Sequence, residues 1–158
     1  MSKQINVALI GNPNTGKTSV FNALTGLNQK VGNYPGITVD KKEGICKLSR
    51  NTKAHIIDLP GTYSLNASSI DENVVIELLL NKNDKLYPDV ALLITDVENL
   101  KRNLLLFTQI KDLEIPSILA INMSDRMQYK RIQLDIAYLE KELQTKIALI
   151  STRKNKGI

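Results

Sequence analysis

The chain has 158 residues, of which 42% are hydrophobic and 23% charged, and it carries a net charge of +5. That length gives one domain with a real core, and the composition is ordinary for a soluble globular protein, not a disordered or fibrous one. No apolar run reaches the roughly 18 residues of a membrane span, Met1-Ser2-Lys3-Gln4 lacks a signal-peptide core, and the single cysteine, Cys46, excludes an internal disulfide. One thiol suits a reducing compartment and reads as strand filler. The basic residues are dispersed in pairs such as Lys41-Lys42, Lys101-Arg102, Lys130-Arg131 and Arg153-Lys154, and aromatics are only 4%. A base-stacking nucleic-acid platform is therefore not expected. The charge reads as solvated surface, part of which could face acidic lipid headgroups.

Strand and helix alternate along the chain. Ile5–Ile10 is the first expected strand and Lys17–Thr25 the first helix, ended by Gly26. Residues 28–37 contain Gly, Asn and Pro and read as a loop. Val39–Leu48 and Ala54–Asp58 read as antiparallel neighbours joined by Ser49-Arg50-Asn51-Thr52. A loop over Leu59–Ser69 leads to a helix at Asp71–Leu80, capped by Ser68 or Ser69. Val90–Thr95 is apolar throughout, as a strand buried on both faces of a parallel sheet must be. A helix over Leu100–Leu113 follows, then a buried strand over Ile115–Ile121 with Pro116 at its mouth. Helical spacing over Ile132–Leu143 and a strand over Lys146–Ile150 complete the pattern.

The expected architecture is α/β: a mostly parallel six-stranded sheet with one antiparallel strand and helices on both faces, one domain over residues 1–158. At Ile158 a closing helix would be expected next, so the chain reads as a fragment of a longer protein.

Between the first strand and first helix lies Gly11-Asn12-Pro13-Asn14-Thr15-Gly16-Lys17-Thr18, which fits G-x-x-x-x-G-K-[ST] in the strand–loop–helix context that pattern requires. Glycines let backbone N–H groups curl round a phosphate, while the helix, opening with Thr18 and Ser19, points its positive end at the same place. Lys17 would reach the β- and γ-phosphates and the Thr18 hydroxyl would ligate Mg²⁺. The plain alternative is a Gly/Asn turn before an ordinary helix.

Four further motifs close or follow strands, at the sheet edge where nucleotides bind. Gly36, Ile37 and Thr38 lie on the loop after the first helix. The Thr38 hydroxyl could meet Mg²⁺ and its N–H the γ-phosphate, making the loop a sensor of the third phosphate. Asp58-Leu59-Pro60-Gly61 closes a strand, with a carboxylate to hold Mg²⁺ through water and a Gly61 N–H for the γ-phosphate. In Asn122-Met123-Ser124-Asp125 the Asp125 carboxylate can accept from both the N1–H and the exocyclic amine of guanine. Adenine lacks that donor pair. Asn122 can bridge the base edge and the phosphate loop. Ser151-Thr152-Arg153 could offer backbone N–H groups to the guanine O6, the faintest of the four signals. Together these residues imply a Mg²⁺-dependent site for GTP and GDP. His55, the only histidine, reads as a structural strand residue.

With these motifs in place, the chain resembles the amino-terminal GTPase domain of the ferrous iron transport protein B family. The resemblance rests on the phosphate loop, on Val31-Gly32-Asn33-Tyr34-Pro35-Gly36-Ile37-Thr38-Val39, on Asp58-Leu59-Pro60-Gly61-Thr62-Tyr63-Ser64-Leu65 and on Asn122 to Asp125, and covers essentially the whole chain. It implies a Ras-like P-loop GTPase domain on the cytoplasmic side of a bacterial or archaeal inner membrane. In the full-length protein a helical spacer domain and a transmembrane Fe²⁺ permease domain would follow; no nucleic acid is expected as partner, and self-association into a homo-oligomer stays open. A soluble Era-like GTPase of ribosome assembly is the alternative, as is a nucleotide-occupancy switch with negligible hydrolysis.

Two departures from the Ras-like template matter. Thr62 stands where small GTPases place a water-positioning Gln, and no obvious arginine finger is supplied in cis, so intrinsic hydrolysis should be slow. The resemblance also implies that Asn14, with backbone carbonyls of the Gly32–Ile37 loop, holds K⁺ against the nucleotide phosphates. The catalytic set is therefore expected to be Asn14, Lys17, Thr38 and Gly61.

Overall fold

The computed structural model describes residues 3–26, 29–34, 39–65 and 69–158. Strands β1 (Lys3–Gly11), β2 (Gln29–Asn33), β3 (Asp40–Ser49), β4 (Thr52–Asp58), β5 (Val90–Asp96), β6 (Ser117–Asn122) and β7 (Lys146–Leu149) form one sheet in the order β2-β3-β4-β1-β5-β6-β7. Helices α1 (Lys17–Thr25), α2 (Ile70–Leu80), α3 (Leu100–Asp112) and α4 (Ile136–Leu143) connect them. The pairings of β1 with β4 and β5, of β5 with β6 and of β6 with β7 are parallel, whereas β3 runs antiparallel to both of its neighbours.

The expected count of six strands is corrected to seven. Gln29–Asn33 falls inside the segment read as a loop, yet it pairs antiparallel with β3 from Gln29 opposite Gly44 to Asn33 opposite Asp40. All five of its residues are exposed, so it has no apolar alternation to show, and backbone pairing alone holds it at the sheet edge.

Alternation along β1 divides the core. Val7 and Leu9 face α1, packing with Val20, Phe21, Ile56 and Ile94; Ala8 and Ile10 face the other way, with Ile57, Val75, Leu93, Phe107 and Ile110. Helices therefore cover both faces, α1 on one and α2 and α3 on the other. Each fully buried Leu, Ile or Phe contributes roughly 1.5–3 kcal/mol.

Helix starts follow local chemistry. The Ser69 side chain accepts from Glu72 N at 3.1 Å and caps α2, so of the two expected caps Ser69 serves; Ser68 lies outside the described residues. The last helix starts at Ile136, four residues later than its periodicity suggests, because the Asp135 side chain accepts from Tyr138 N at 3.0 Å and caps it there. Ile132 and Leu134 still pack against the core, from the irregular segment that leads into the helix, which explains the longer apolar pattern. Among the described residues no helix is long and apolar enough to cross a membrane.

β1 sits between β4 and β5, the point from which connections leave toward opposite edges. The carboxyl ends of β1, β4, β5 and β6 converge there.

Candidate functional site: a phosphate loop joined to the Asn122–Asp125 loop

The phosphate loop leaves β1 at Gly11 and turns on two left-handed residues, Asn14 (φ 70°) and Gly16 (φ 84°). Asn tolerates that region through local hydrogen bonding. At Gly16 a Cβ would lie 2.3 Å from Asn122 Nδ2, so only glycine fits. Thr15 Oγ1 donates to Asn12 O at 3.0 Å and closes the loop on itself. Helix α1 begins with no side-chain cap and no acidic residue in its first turn, leaving its N–H groups for an anion. Pro13, Thr18 and Ser19 are exposed at the loop's rim.

Lys17 Nζ donates to Asp58 Oδ1, and both side chains are nearly buried, at 10% and 5% exposure. A second cation, Lys42, sits opposite Asp58 in the β3–β4 register. Lys17, Thr18, Lys42, Asp58, Leu59, Pro60 and Gly61 line one cavity of about 340 Å³. With Asp40 and Asp71 also on its wall, it gathers two cations, one hydroxyl and three carboxylates in front of a helix N-terminus. Among the described residues no group of three or more His, Cys, Asp or Glu could hold a metal by itself. The donor set fits a hard divalent cation that takes one or two protein oxygens and the rest from phosphate and water. Gly36, Ile37 and Thr38, expected to complete this end, lie outside the described residues.

The loop after β4 is stitched to β1: Leu59 N donates to Leu9 O at 3.1 Å and Thr62 N to Gly11 O at 3.0 Å. A Cβ on Gly61 would meet Pro13 Cγ at 3.2 Å, so this loop packs directly on the phosphate loop. Thr62 is 2% exposed and its hydroxyl donates to Ser64 O at 2.6 Å. The hydroxyl is committed to its own turn.

At the other end, Asn122 is 1% exposed and bonds in two directions. Its Nδ2 donates to Thr15 O at 3.0 Å and its Oδ1 accepts from Thr152 N at 3.2 Å. The expected bridge to the phosphate loop is therefore present, and it extends to the loop after β7. Met123 takes a left-handed conformation (φ 63°), which turns the chain into the short 3-10 helix Ser124–Arg126 carrying Asp125. Ser151 is fully buried and its hydroxyl donates to Asp125 Oδ1 at 2.7 Å. That hydrogen bond, aided by Arg153 and Arg126, holds the Asp125 carboxyl below its ordinary value of 3.8. Ser151 N donates to Lys156 O at 3.0 Å and Thr152 N to Asn122. Of the three N–H groups expected near the base, only that of Arg153 makes no bond among the described residues.

Asp125 and Arg153 line a cavity of about 580 Å³ together with Arg126, Tyr129, Lys130 and Lys154. Beyond the phosphate loop, Asn14 borders a small polar cavity of about 130 Å³ with Tyr63, Asp96, Asn99 and Arg102. Arg102 and Tyr129 have no motif to announce them; tertiary packing brings them to the site. His55 behaves as expected: its Nε2 lies 3.0 Å from Glu43 Oε2 across β3 and β4, away from the phosphate loop. Cys46 lies in β3, its thiol pushed up by burial, in keeping with a structural role.

The family model of ferrous iron transport protein B matches residues 5–158. The chain is 42% identical over 156 residues to the Fe(2+) transporter FeoB of Leptospira biflexa, covering 99% of this chain and 22% of that protein. It is 38% identical over 160 residues to FeoB of Escherichia coli K12, covering 99% and 20%. Thus it spans about a fifth of the length of these curated relatives. Among solved structures, the G domain of T. maritima FeoB matches with a TM-score of 0.88 at 40% identity, covering 98% of this chain and 91% of that one. The cytosolic domain of T. maritima FeoB in a GDP form matches with a TM-score of 0.91 at 39% identity, covering 99% and 60%. A profile match over nearly every residue, on a sheet that ends in a phosphate loop and the Asn122–Asp125 loop, places the chain in the ferrous iron transport protein B family, in the part of it that folds as a P-loop GTPase domain.

Proposed function

We propose that this domain binds GTP and GDP with Mg²⁺, hydrolyses GTP to GDP and phosphate, and serves as the nucleotide switch of a ferrous iron transporter. One observation carries the reading: Asn122 ties the phosphate loop at Thr15 to the loop that holds Asp125, so anion capture and base choice belong to one hydrogen-bonded unit. A neighbour of 39% identity carries GDP in its described form, which supports the same ligand here.

Lys17 would exchange Asp58 for the β- and γ-phosphates, a move between two anionic partners. Thr18, Asp58 and Thr38 are the residues to hold Mg²⁺, which when bound neutralises charge on the β- and γ-oxygens. The Gly61 N–H would meet the γ-phosphate, and Asp125 accepts both guanine donors. Asn14, exposed on the phosphate loop, is the side chain we assign to K⁺, which supplies positive charge where an arginine finger would stand. In the longer protein the domain would lie at the cytoplasmic face of the inner membrane, ahead of a helical spacer and the Fe²⁺ permease.

The Thr62 hydroxyl, bonded to Ser64 O, favours slow chemistry and keeps a second reading in play, a switch that signals by occupancy and barely hydrolyses. Single-turnover hydrolysis of GTP with Mg²⁺, in KCl and in NaCl, separates them. The enzyme reading expects phosphate release that is faster in KCl and loses that difference in Asn14→Ala. Equal rates in both salts refute the K⁺ role. No release in either leaves the occupancy switch.

A further inference from the structure

Gly61–Leu65 is held at both ends by different parts of the fold. Its start is bonded to β1 through Thr62 N and Gly11 O. Its end rests on α3: Leu65 N donates to Gln109 Oε1 at 2.8 Å, and the Arg102 guanidinium lies over the Tyr63 ring, 5.0 Å from its centroid. Arg102 is exposed and makes no ion pair among the described residues, where the ring is its one partner.

The α3 platform is rigid where Arg102 leaves it. Asp96 and Asn103 are each 3% exposed; Asp96 N donates to Asn103 Oδ1 at 3.1 Å, while Asp96 Oδ1 accepts from Glu98 N and Asn99 N at 2.9 Å. Arg102 and Tyr63 also border the small cavity beside Asn12, Pro13 and Asn14. A displacement of the Tyr63 ring is therefore felt at the phosphate loop, against which Gly61 packs.

We propose that Arg102 is a positioning residue: by stacking on Tyr63 it fixes the Gly61–Leu65 loop so that the Gly61 N–H is pre-aimed at the third phosphate of the nucleotide. This deepens the GTP-site reading and rests on it. The stack orders a segment before the ligand arrives, which lowers the ordering cost of triphosphate binding without touching the diphosphate. An exposed cation–π contact carries about a two- to fivefold effect on an equilibrium.

The test is the ratio of GTPγS to GDP affinity, measured with Mg²⁺ for the wild type, Arg102→Ala, Tyr63→Ala and the double variant. We expect each single variant to lower the ratio by about two- to fivefold, with GDP affinity unchanged and the double variant no worse than either single one. Tyr63→Phe keeps the ring and is expected to rescue the ratio. A ratio that does not fall in Arg102→Ala, an equal loss for both nucleotides, or additive losses in the double variant would each overturn the proposal while leaving the guanine site standing. A wild type that binds neither nucleotide overturns the site reading, and this inference with it.

Discussion

The Ser151 hydroxyl donates to Asp125 Oδ1 at 2.7 Å, so the carboxylate assigned to the base is held by a loop that sequence places 26 positions away. Asp125 is thereby kept ionised and oriented. Because its folded value lies below 3.8, the contribution of the ionised form is present above that pH and is lost only as pH falls through the lowered value. Guanine affinity should therefore be flat from about pH 8 to about pH 5. Ser151→Ala should weaken guanine binding several-fold, in line with about 1 kcal/mol for one lost hydrogen bond. Calorimetric titration of GDP across that range checks both.

Asp125→Asn replaces a double acceptor with one donor and one acceptor. Guanine then meets an amide N–H where it offers its own amine, whereas xanthine presents a carbonyl there. The variant should lose GDP by roughly 1–3 kcal/mol, the cost of an unpaired buried polar group, and gain xanthosine diphosphate. Competition between the two diphosphates reads the reversal directly.

Lys17→Ala removes the partner of a carboxylate that is 5% exposed. Breaking a buried pair by deleting one member costs about 3–5 kcal/mol, since the other charge stays behind. For a chain of this size that lowers Tm by roughly 10 °C. Asp58→Asn with Lys17→Ala should recover part of the loss in thermal melts. Neither protein should be stabilised by added GDP.

Tyr34 carries the opposite sign. Its hydroxyl is buried and makes no hydrogen bond among the described residues. Burial first, then the charges of Asp58, Glu43 and Asp84, push it up to about 12 from 10.0. Stability from the neutral phenol is present below pH 10 and is lost as pH rises toward 12. Tyr34→Phe should be neutral or stabilising by up to about 1 kcal/mol at pH 7, and should flatten the alkaline arm of a urea-denaturation series.

Much of this fold is legible in the order of residues because buried elements must declare themselves. Apolar runs mark β5 and β6, and helical spacing places α1 at Lys17–Thr25 as observed. The edge strand β2 declares nothing, since a strand exposed at every residue is held by backbone bonds that any side chain permits. Likewise the expected helix from Ile132 mistakes two residues of an irregular segment packed on the core for helical periodicity, and only the Asp135 cap fixes the true start. In the site, motifs name Gly11–Thr18, Asp58 and Asn122–Asp125 because each needs a particular side chain at a fixed spacing. Arg102 and Tyr63 meet across 39 positions by tertiary packing, and no spacing rule reaches them.

The proposed function rests on one hydrogen-bonded unit, from Thr15 through Asn122 to Asp125, that joins polyphosphate capture to guanine selection. Titration of the wild type and Asp125→Ala with GTP, GDP and ATP in the presence of Mg²⁺ tests it most directly. The expected result is tight GTP and GDP binding and negligible ATP binding by the wild type, with guanine preference abolished in Asp125→Ala. Tight ATP binding by the wild type, or an undiminished guanine preference in the variant, would contradict it.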